Sequence, residues 1–458
     1  MNRHLGFWGA SAIIVGTMIG SGIFIVPSSL ANWVSSSGLY LGLWIICGVL
    51  NLMGAFAYGE LAALYPEAGG QYVFLRKAFG PFFSFLYGWS FFVVIQSGLA
   101  AAVSIAFAKY LGVIFPKVGE TNVLWKMGFL SINTAQIVAS LVIVLLTYIN
   151  TRGVASGSRL QNIFTLIKVL AVVVLIVAGF SYGSGHFSHF TPIVSKAVPS
   201  WNQEALEMGF IAAFVMGASK VLFAYDGWNN GTFIASEIKN PQRNLPLALT
   251  LGTLVVIVLY TLMSAVCLYM FSLDNMALIK ENRVAAAIVK IWFGPVGAII
   301  IAVVIMISTF STTNGLLLAG SRVLYAMAKD NLFFPKAATL NKNKVPESAL
   351  WILCAWSILL ACSGSFDALL TYTMFAALLF NALTVLSVFV LRIKQPTLYR
   401  PYRTFGYPVT PFLFILGSLF FVVYLFIGNP INSLYGLGII LLGLPVYVWM
   451  RRKSNKNS

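Results

Sequence analysis

Long apolar runs follow one another down the chain with short polar intervals between them. Read in order, they predict helices at about 7–31, 38–64, 79–111, 132–149, 158–182, 206–237, 245–271, 284–314, 347–363, 366–391, 408–428 and 432–450. Most of these runs reach the roughly 20 residues that carry a helix across a bilayer. The pattern therefore predicts an all-α membrane protein with twelve transmembrane helices. Two spans are interrupted where the membrane is driest. In the first, Gly16, Gly20 and Gly22 fall within Val15-Gly16-Thr17-Met18-Ile19-Gly20-Ser21-Gly22-Ile23-Phe24. In the sixth, Phe223-Ala224-Tyr225-Asp226-Gly227-Trp228-Asn229-Asn230-Gly231 puts a carboxylate, two glycines and two carboxamides into the middle of the run.

Glycine inside a helix costs about 1 kcal/mol relative to alanine. Backbone that leaves helical geometry at this depth persists only where it lines a cavity and finds partners. Taken alone, Gly16 and Gly20 also fit close helix packing through a small-xxx-small pair. The carboxylate of Asp226 is costly inside a bilayer and marks a site facing the protein interior. Two interrupted spans in corresponding places of two halves point to a site between inverted repeats of a transporter. The pair decides between the readings.

An unwound segment before a half-helix presents bare N–H groups and about half a positive charge. Here those groups belong to Ser21, Gly22 and Ile23, with hydroxyls at Thr17 and Ser21 that either add donors or bond back to their own helix. The carbonyls of Phe223, Ala224 and Tyr225 would close the first half of the sixth span and face an ammonium. Donors on one side and acceptors on the other fit an α-amino acid zwitterion. Asp226 can hold the α-ammonium, attract a cationic side chain, bind a coupling proton, or cap the second half-helix. Lys168 lies among Phe164, Leu166, Ile167, Val169 and Leu170 in the fifth span. An ammonium at that depth needs oxygen partners. It can stand where a sodium ion would sit, bridging carbonyls of the first span and hydroxyls such as Ser308, Thr309 or Ser311; the alternative is snorkelling to an interface. Lys220 receives no role. Glu60 and Glu237 are expected at solvated helix ends, though each is able to form a gate-type ion pair. Gln96, Ser97, Tyr372 and Asn381 are polar enough to line a pathway.

Composition agrees with the spans. The 458 residues are 59% hydrophobic and 9% charged, with mean hydropathy +0.88, whereas soluble domains carry about 25% charged residues. The net charge of +17 could point to nucleic acid, but its placement does not. One face collects Arg76, Lys77, Arg152, Lys239, Arg243, Arg322, Lys329, Arg392 and Arg451 with most other cations. The opposite face holds only Lys109, Lys117, Lys126, Lys196, Lys280, Arg283 and Lys290. That asymmetry predicts cytoplasmic N- and C-termini in a multi-pass cell-membrane protein, with lipid rather than nucleic acid around it. No cleavable leader is expected. Residues 1–392 read as a ten-helix core, with repeats at about 7–182 and 206–392. Residues 393–458 read as a linker, two accessory helices and a basic tail. The stretch 314–346 is amphipathic and is expected to prolong helix 8 or lie along the inner surface. Cys47, Cys267, Cys354 and Cys362 have no metal or redox spacing. No Ser/His/Asp arrangement or metal-ligand cluster appears, so no enzyme, metal or cofactor is expected.

With these residues in view, the chain resembles the amino acid–polyamine–organocation superfamily. Within it, it is most similar to the L-type amino acid transporter family, the light chains of heteromeric exchangers and their bacterial relatives. The resemblance is carried by Val15 to Phe24, Gln161-Asn162-Ile163-Phe164-Thr165-Leu166-Ile167-Lys168, Phe223 to Asn229, Asn240-Pro241-Gln242-Arg243-Asn244-Leu245-Pro246, and Gly315 to Asp330. It implies a LeuT-type 5+5 inverted repeat with helices 1 and 6 broken. It also implies sodium-independent transport of L-amino acids, usually by exchange, with Lys168 in place of a sodium ion. Two departures stand out. Most members preferring large neutral substrates have a small residue where this chain has Asp226, which resembles members accepting cationic or mixed substrates. The loop Gly112–Ser131 lacks the cysteine that links eukaryotic light chains to a heavy chain, so no disulfide-linked heavy subunit is expected. The rival functions are a proton-coupled amino acid or polyamine symporter and an amino acid receptor that does not transport.

Overall fold

The computed structural model describes residues 3–119, 122–127, 130–183, 185–193, 198–279, 283–363, 366–428 and 430–457. The chain runs α1 (Phe7–Met18), α2 (Gly22–Ala31), α3 (Ser37–Leu64), α4 (Gln71–Phe79), α5 (Pro81–Ser90), a π turn (Phe91–Ile95) and α6 (Gln96–Ile114). A hairpin of β1 (Val123–Met127) and β2 (Leu130–Asn133) precedes α7 (Thr134–Thr151) and α8 (Val154–Ser181). Then come α9 (Gln203–Met208), α10 (Phe210–Tyr225), α11 (Asn230–Phe233), α12 (Pro241–Met270), α13 (Leu273–Ala277) and α14 (Val284–Lys329). The chain closes with α15 (Glu347–Ser363), α16 (Phe366–Lys394), α17 (Val409–Gly428) and α18 (Pro430–Asn457). Among the described residues, ten helical stretches are long and apolar enough to cross a membrane, and Phe210–Tyr225 and Glu347–Ser363 are shorter apolar helices.

Faces sort as a bilayer demands. On α8, Leu166, Leu170, Val174 and Val177 form an exposed stripe, while Gln161, Thr165, Lys168 and Val172 are buried on the opposite face. The polar residues turn inward because lipid offers them no partner. α1 packs against α8, α12 and α14, and α12 lies along α3, so the first break sits in the centre of the bundle. The π turn frees carbonyls that a regular helix would use. They are taken by Ser97 Oγ (to Phe92, 2.5 Å), Trp356 Nε1 (to Val93, 2.9 Å) and Thr373 Oγ1 (to Val94, 3.3 Å).

Three expectations change. The sixth span does not run as two long half-helices: after α10 only the four-residue α11 and a 3₁₀ turn at Ala235–Glu237 remain. Asn229, Asn230 and Gly231 are weak helix formers, and tertiary contacts hold this segment instead. Helix 8 continues past 314 to Lys329, one of the two courses expected for that stretch, and bends at Gly294 (φ 59°) before Pro295. The loop around 112–131 carries the β1–β2 hairpin. Glu60 and Glu237 are not solvated. Glu60 accepts from Arg392 Nη2 (2.6 Å) and from the Thr404 N–H and hydroxyl (both 2.7 Å), with Arg400 Nε 3.2 Å away. The 393–407 loop thus folds over the end of α3. Glu237 pairs with Arg322 of α14 at 2.9 Å, each side chain 1% exposed. The same stretch holds the chain's start: His4 and Leu5 N–H groups both donate to the Glu237 carbonyl, and Lys239 N–H donates back to Leu5.

Candidate functional site

The first break begins where α1 ends. The Ile19 N–H closes the last turn on Val15 O at 2.9 Å, and the Gly20 N–H then bonds Met18 O at 2.9 Å. α2 restarts at Gly22. Among the described residues, no acceptor in the chain takes the N–H groups of Ser21, Gly22 or Ile23, and the buried Ser21 hydroxyl also has no partner. The freed carbonyls are served from two sides. Lys168 Nζ, fully buried, lies 2.5 Å from Gly16 O, 2.7 Å from Ile19 O and 3.3 Å from Thr312 Oγ1. Ser308 donates to Ile19 O or Gly20 O (3.0 and 3.1 Å). From the other flank, Tyr260 of α12 donates to Met18 O at 2.7 Å.

The second break follows α10. Asp226 leaves the helix in extended conformation (φ −62°, ψ 155°), and its N–H bonds Phe223 O at 3.1 Å. Among the described residues, no donor meets the Ala224 or Tyr225 carbonyl. Gly227 turns the chain at φ +97°, and a Cβ there would lie 3.1 Å from the Thr17 carbonyl. Only glycine accepts both demands. The two breaks touch. Thr17 Oγ1 is 2.9 Å from Gly227 O, and a Cβ on Gly22 would meet Ala224 Cα at 2.9 Å.

Between them lies a small cavity lined by Thr17, Met18, Gly20, Ser21, Gly22, Phe223, Ala224, Asp226 and Gly227. Leu99, Val103, Thr312 and Leu316 complete the wall from α6 and α14. Val15, Gly16, Ile23 and Tyr225 stand behind the lining. Gly16 is packed so tightly on α8 that a Cβ would sit 2.2 Å from Gln161 Nε2, the small-residue packing that its spacing also allowed. The Thr17 hydroxyl is engaged by carbonyls: Ile13 (2.7 Å) and Ile14 (3.0 Å) lie within its own helix and Gly227 across the gap. Asp226 is the C-cap of α10, not the N-cap of a following half-helix. The partner of Lys168 on α14 is Thr312. Ser308 bonds α1 directly, Thr309 bonds back to Ile305, and the Ser311 hydroxyl has no partner among the described residues. Residues four apart share a helix face, so Ser308 and Thr312 point together at α1.

A second small polar cavity shares Asp226 with the first and is lined by Gln71, Tyr87, Gln96, Asn229, Asn230 and Asn381 among others. Gln96 and Asn381 thus line a cavity as their polarity suggests; Ser97 instead bonds into the π turn, and the side chain of Tyr372 lies outside the described residues. Gln71, Leu99, Val103 and Thr312 carry no sequence signal beyond helix position.

Two membrane helices broken at one depth, facing each other across a shared cavity, define an all-α membrane protein of the LeuT-type, broken-helix class. The amino acid permease family model matches residues 5–449, and the chain belongs to that family. It is 28% identical to the serine/threonine exchanger SteT of Bacillus subtilis (strain 168), over 99% of this chain and 98% of the relative. It is 29% identical to the b(0,+)-type amino acid transporter 1 of Mus musculus, covering 98% and 88% of the two chains. It is 30% identical to the large neutral amino acids transporter small subunit 2 of Mus musculus, covering 98% and 81%.

Proposed function

We propose that the protein exchanges L-amino acids across the cell membrane by alternating access, without sodium. The observation that carries this reading is the shared cavity. The N–H groups of Ser21 and Gly22, unpartnered among the described residues, edge it on one side with that of Ile23 just behind, and Asp226 with the Ala224 carbonyl edges it on the other with the Tyr225 carbonyl just behind. Donors at a helix start suit a carboxylate, and acceptors at a helix end suit an ammonium. Val15, Gly16, Thr17 and Gly20 shape the first of these edges, and Phe223 the second. Lys168 supplies the positive charge that carbonyls of an unwound helix otherwise draw from a bound cation. The kinship to a serine/threonine exchanger and to amino acid transporters supports the substrate class.

The architecture that goes with this function has twelve crossings and cytoplasmic termini. Its core is residues 1–392, with repeats at about 7–182 and 206–392, and residues 393–458 are accessory. The protein works without a disulfide-linked heavy chain, since no cysteine lies in the 112–131 loop. The test is counterflow in proteoliposomes loaded with unlabelled amino acids. Exchange predicts labelled uptake only when internal amino acid is present, equal in sodium and choline media. Uptake into empty vesicles driven by a pH gradient alone would replace exchange with proton symport.

A further inference from the structure

A third cavity lies beyond the second, and its lining includes Glu67, Val73, Arg76, Ser236, Lys329 and Asp330. Ser236 adjoins Glu237, whose carbonyl holds the N–H groups of His4 and Leu5, so the cavity shares the face of the N-terminus. The short helix α4 stands between it and the second cavity. Gln71, at the start of α4, lines the second cavity, whereas Val73 and Arg76 line the third. Residues five apart on a helix point about 140° away from each other, and residues three apart share a face. Phe233 adds to the partition: it lines the second cavity, and its carbonyl accepts from the Gly69 N–H at 3.0 Å, just ahead of α4. The cavities thus follow one another from the breaks to the N-terminal face, the first two meeting at Asp226.

Charge around the third cavity balances, Arg76 and Lys329 against Glu67 and Asp330. A simple anion there meets two carboxylates and a simple cation meets two cations, whereas a molecule carrying both charges finds a partner for each. Asp330 is the fixed point. It caps α14, its side chain is 13% exposed, and it accepts from the Tyr72 hydroxyl at 2.9 Å and from Arg76 Nη1. Among the described residues, the 45% exposed Arg76 commits one of its five N–H donors, to Asp330. An edge of the guanidinium is left for a second carboxylate. Glu67 is more exposed still, with Lys77 3.6 Å away outside the lining. Ion pairs this exposed contribute little, so a ligand can share or displace them. Lys329 Nζ stands 5.4 Å from the centre of the Tyr325 ring, which keeps the second cation beside the cavity.

We propose that this cavity is a second amino acid site at the cytoplasmic mouth, where a zwitterion waits: Arg76 and Lys329 take the α-carboxylate, and Asp330 and Glu67 take the α-ammonium. The proposal rests on the reading of the protein as an amino acid exchanger with a cytoplasmic N-terminus. Its contacts are to charges that every L-amino acid carries, so L-serine serves as the probe. The measurement is saturation-transfer NMR of L-serine with the full-length protein in lipid nanodiscs, titrated from micromolar to millimolar concentration. Wild type should show two classes of site, the weaker roughly millimolar. Arg76→Gln should weaken that class at least tenfold and leave the tighter class and the unfolding temperature as they are. Gly22→Val should do the reverse. Neither serinol, which lacks the carboxylate, nor glycerate, which lacks the ammonium, should displace L-serine from the weaker class. In oriented proteoliposomes, Arg76→Gln should raise the L-serine concentration for half-maximal exchange on the cytoplasmic face alone. A single class in the wild type, or a weaker class untouched by Arg76→Gln, overturns the proposal. Displacement by glycerate as readily as by L-serine overturns it in favour of a plain anion site, and a shift on the outer face alone overturns its placement. Wild-type tight binding in Gly22→Val overturns the site at the breaks instead, and the weaker class is then judged by Arg76→Gln alone.

Discussion

Lys168→Ala removes an ammonium from between two turns of unwound backbone. In the intact protein Nζ lies 2.5 Å from Gly16 O and 2.7 Å from Ile19 O. Hydrogen bonds from a charged donor contribute about 1.5–3 kcal/mol each. The loss is not the full sum, because Thr312 still reaches Gly16 O (3.2 Å) and Ser308 still reaches Ile19 O (3.0 Å). The net loss in holding the first break is then roughly 2–4 kcal/mol, or about 30- to 1,000-fold in the competent geometry. The assay is counterflow of labelled amino acid in proteoliposomes, run in sodium, potassium and choline media, with thermal unfolding in detergent as the control for folding. Wild-type flux should be the same in all three media. The folded variant should lose most flux, and sodium alone should restore part of it if the vacated oxygens accept a cation. Robust stimulation of the wild type by a sodium gradient refutes the reasoning, as does wild-type flux in a folded Lys168→Ala protein.

Contacts at the breaks and at the helix ends set three further outcomes. Gly22→Val drives a branched side chain into Ala224, whose Cα would lie 2.9 Å from the new Cβ. Overpacking of about 1–3 kcal/mol predicts at least a five- to 150-fold loss of substrate affinity in folded protein, and unchanged binding would remove the N–H assignment. Asp226→Asn keeps shape but not charge. If the carboxylate reads side chains, transport of cationic substrates should fall on the order of ten- to a hundredfold relative to small neutral ones, and a constant ratio excludes that role. Glu60→Ala strands Arg392 and the Thr404 N–H under the 393–407 loop. Because Arg392 stays 20% exposed, the cost should be near the lower end of that for a broken buried pair, about 3 kcal/mol. It should appear as a lower unfolding temperature, and an unshifted midpoint would show that the clamp does not bear on stability.

The long spans and both breaks are legible in the sequence because hydropathy and misplaced glycines are local signals. So is the depth of Lys168, a charge inside an apolar run. The cavity wall is not. Leu99, Val103 and Leu316 look like any other apolar helical residue, and Thr312 is one of several hydroxyls in a row until helix phase singles it out. The burial of Glu60 and Glu237 depends on partners far along the chain, Arg392 and Arg322. No local window contains both members of either pair. The shortness of α11 is hinted at by Asn229, Asn230 and Gly231, yet the apolar residues after them mimic a continuing helix.

The bond pattern at the start of the chain has a mechanical consequence. Leu5 and Ile238 form a parallel bridge, with hydrogen bonds from both sides of the Glu237–Lys239 stretch. Leu5 leads directly into α1, and Ile238 lies just after the short segment beyond the second break. The two pieces of chain on that side of the cavity are therefore stapled at their far ends, and the Thr17–Gly227 contact joins them again at the cavity. Fastened at both ends, they form one lever with a double pivot at Gly20–Gly22 and Gly227. The lever is held to α14 by Glu237–Arg322, so neither arm can swing outward without carrying the other and drawing a carboxylate away from a buried guanidinium.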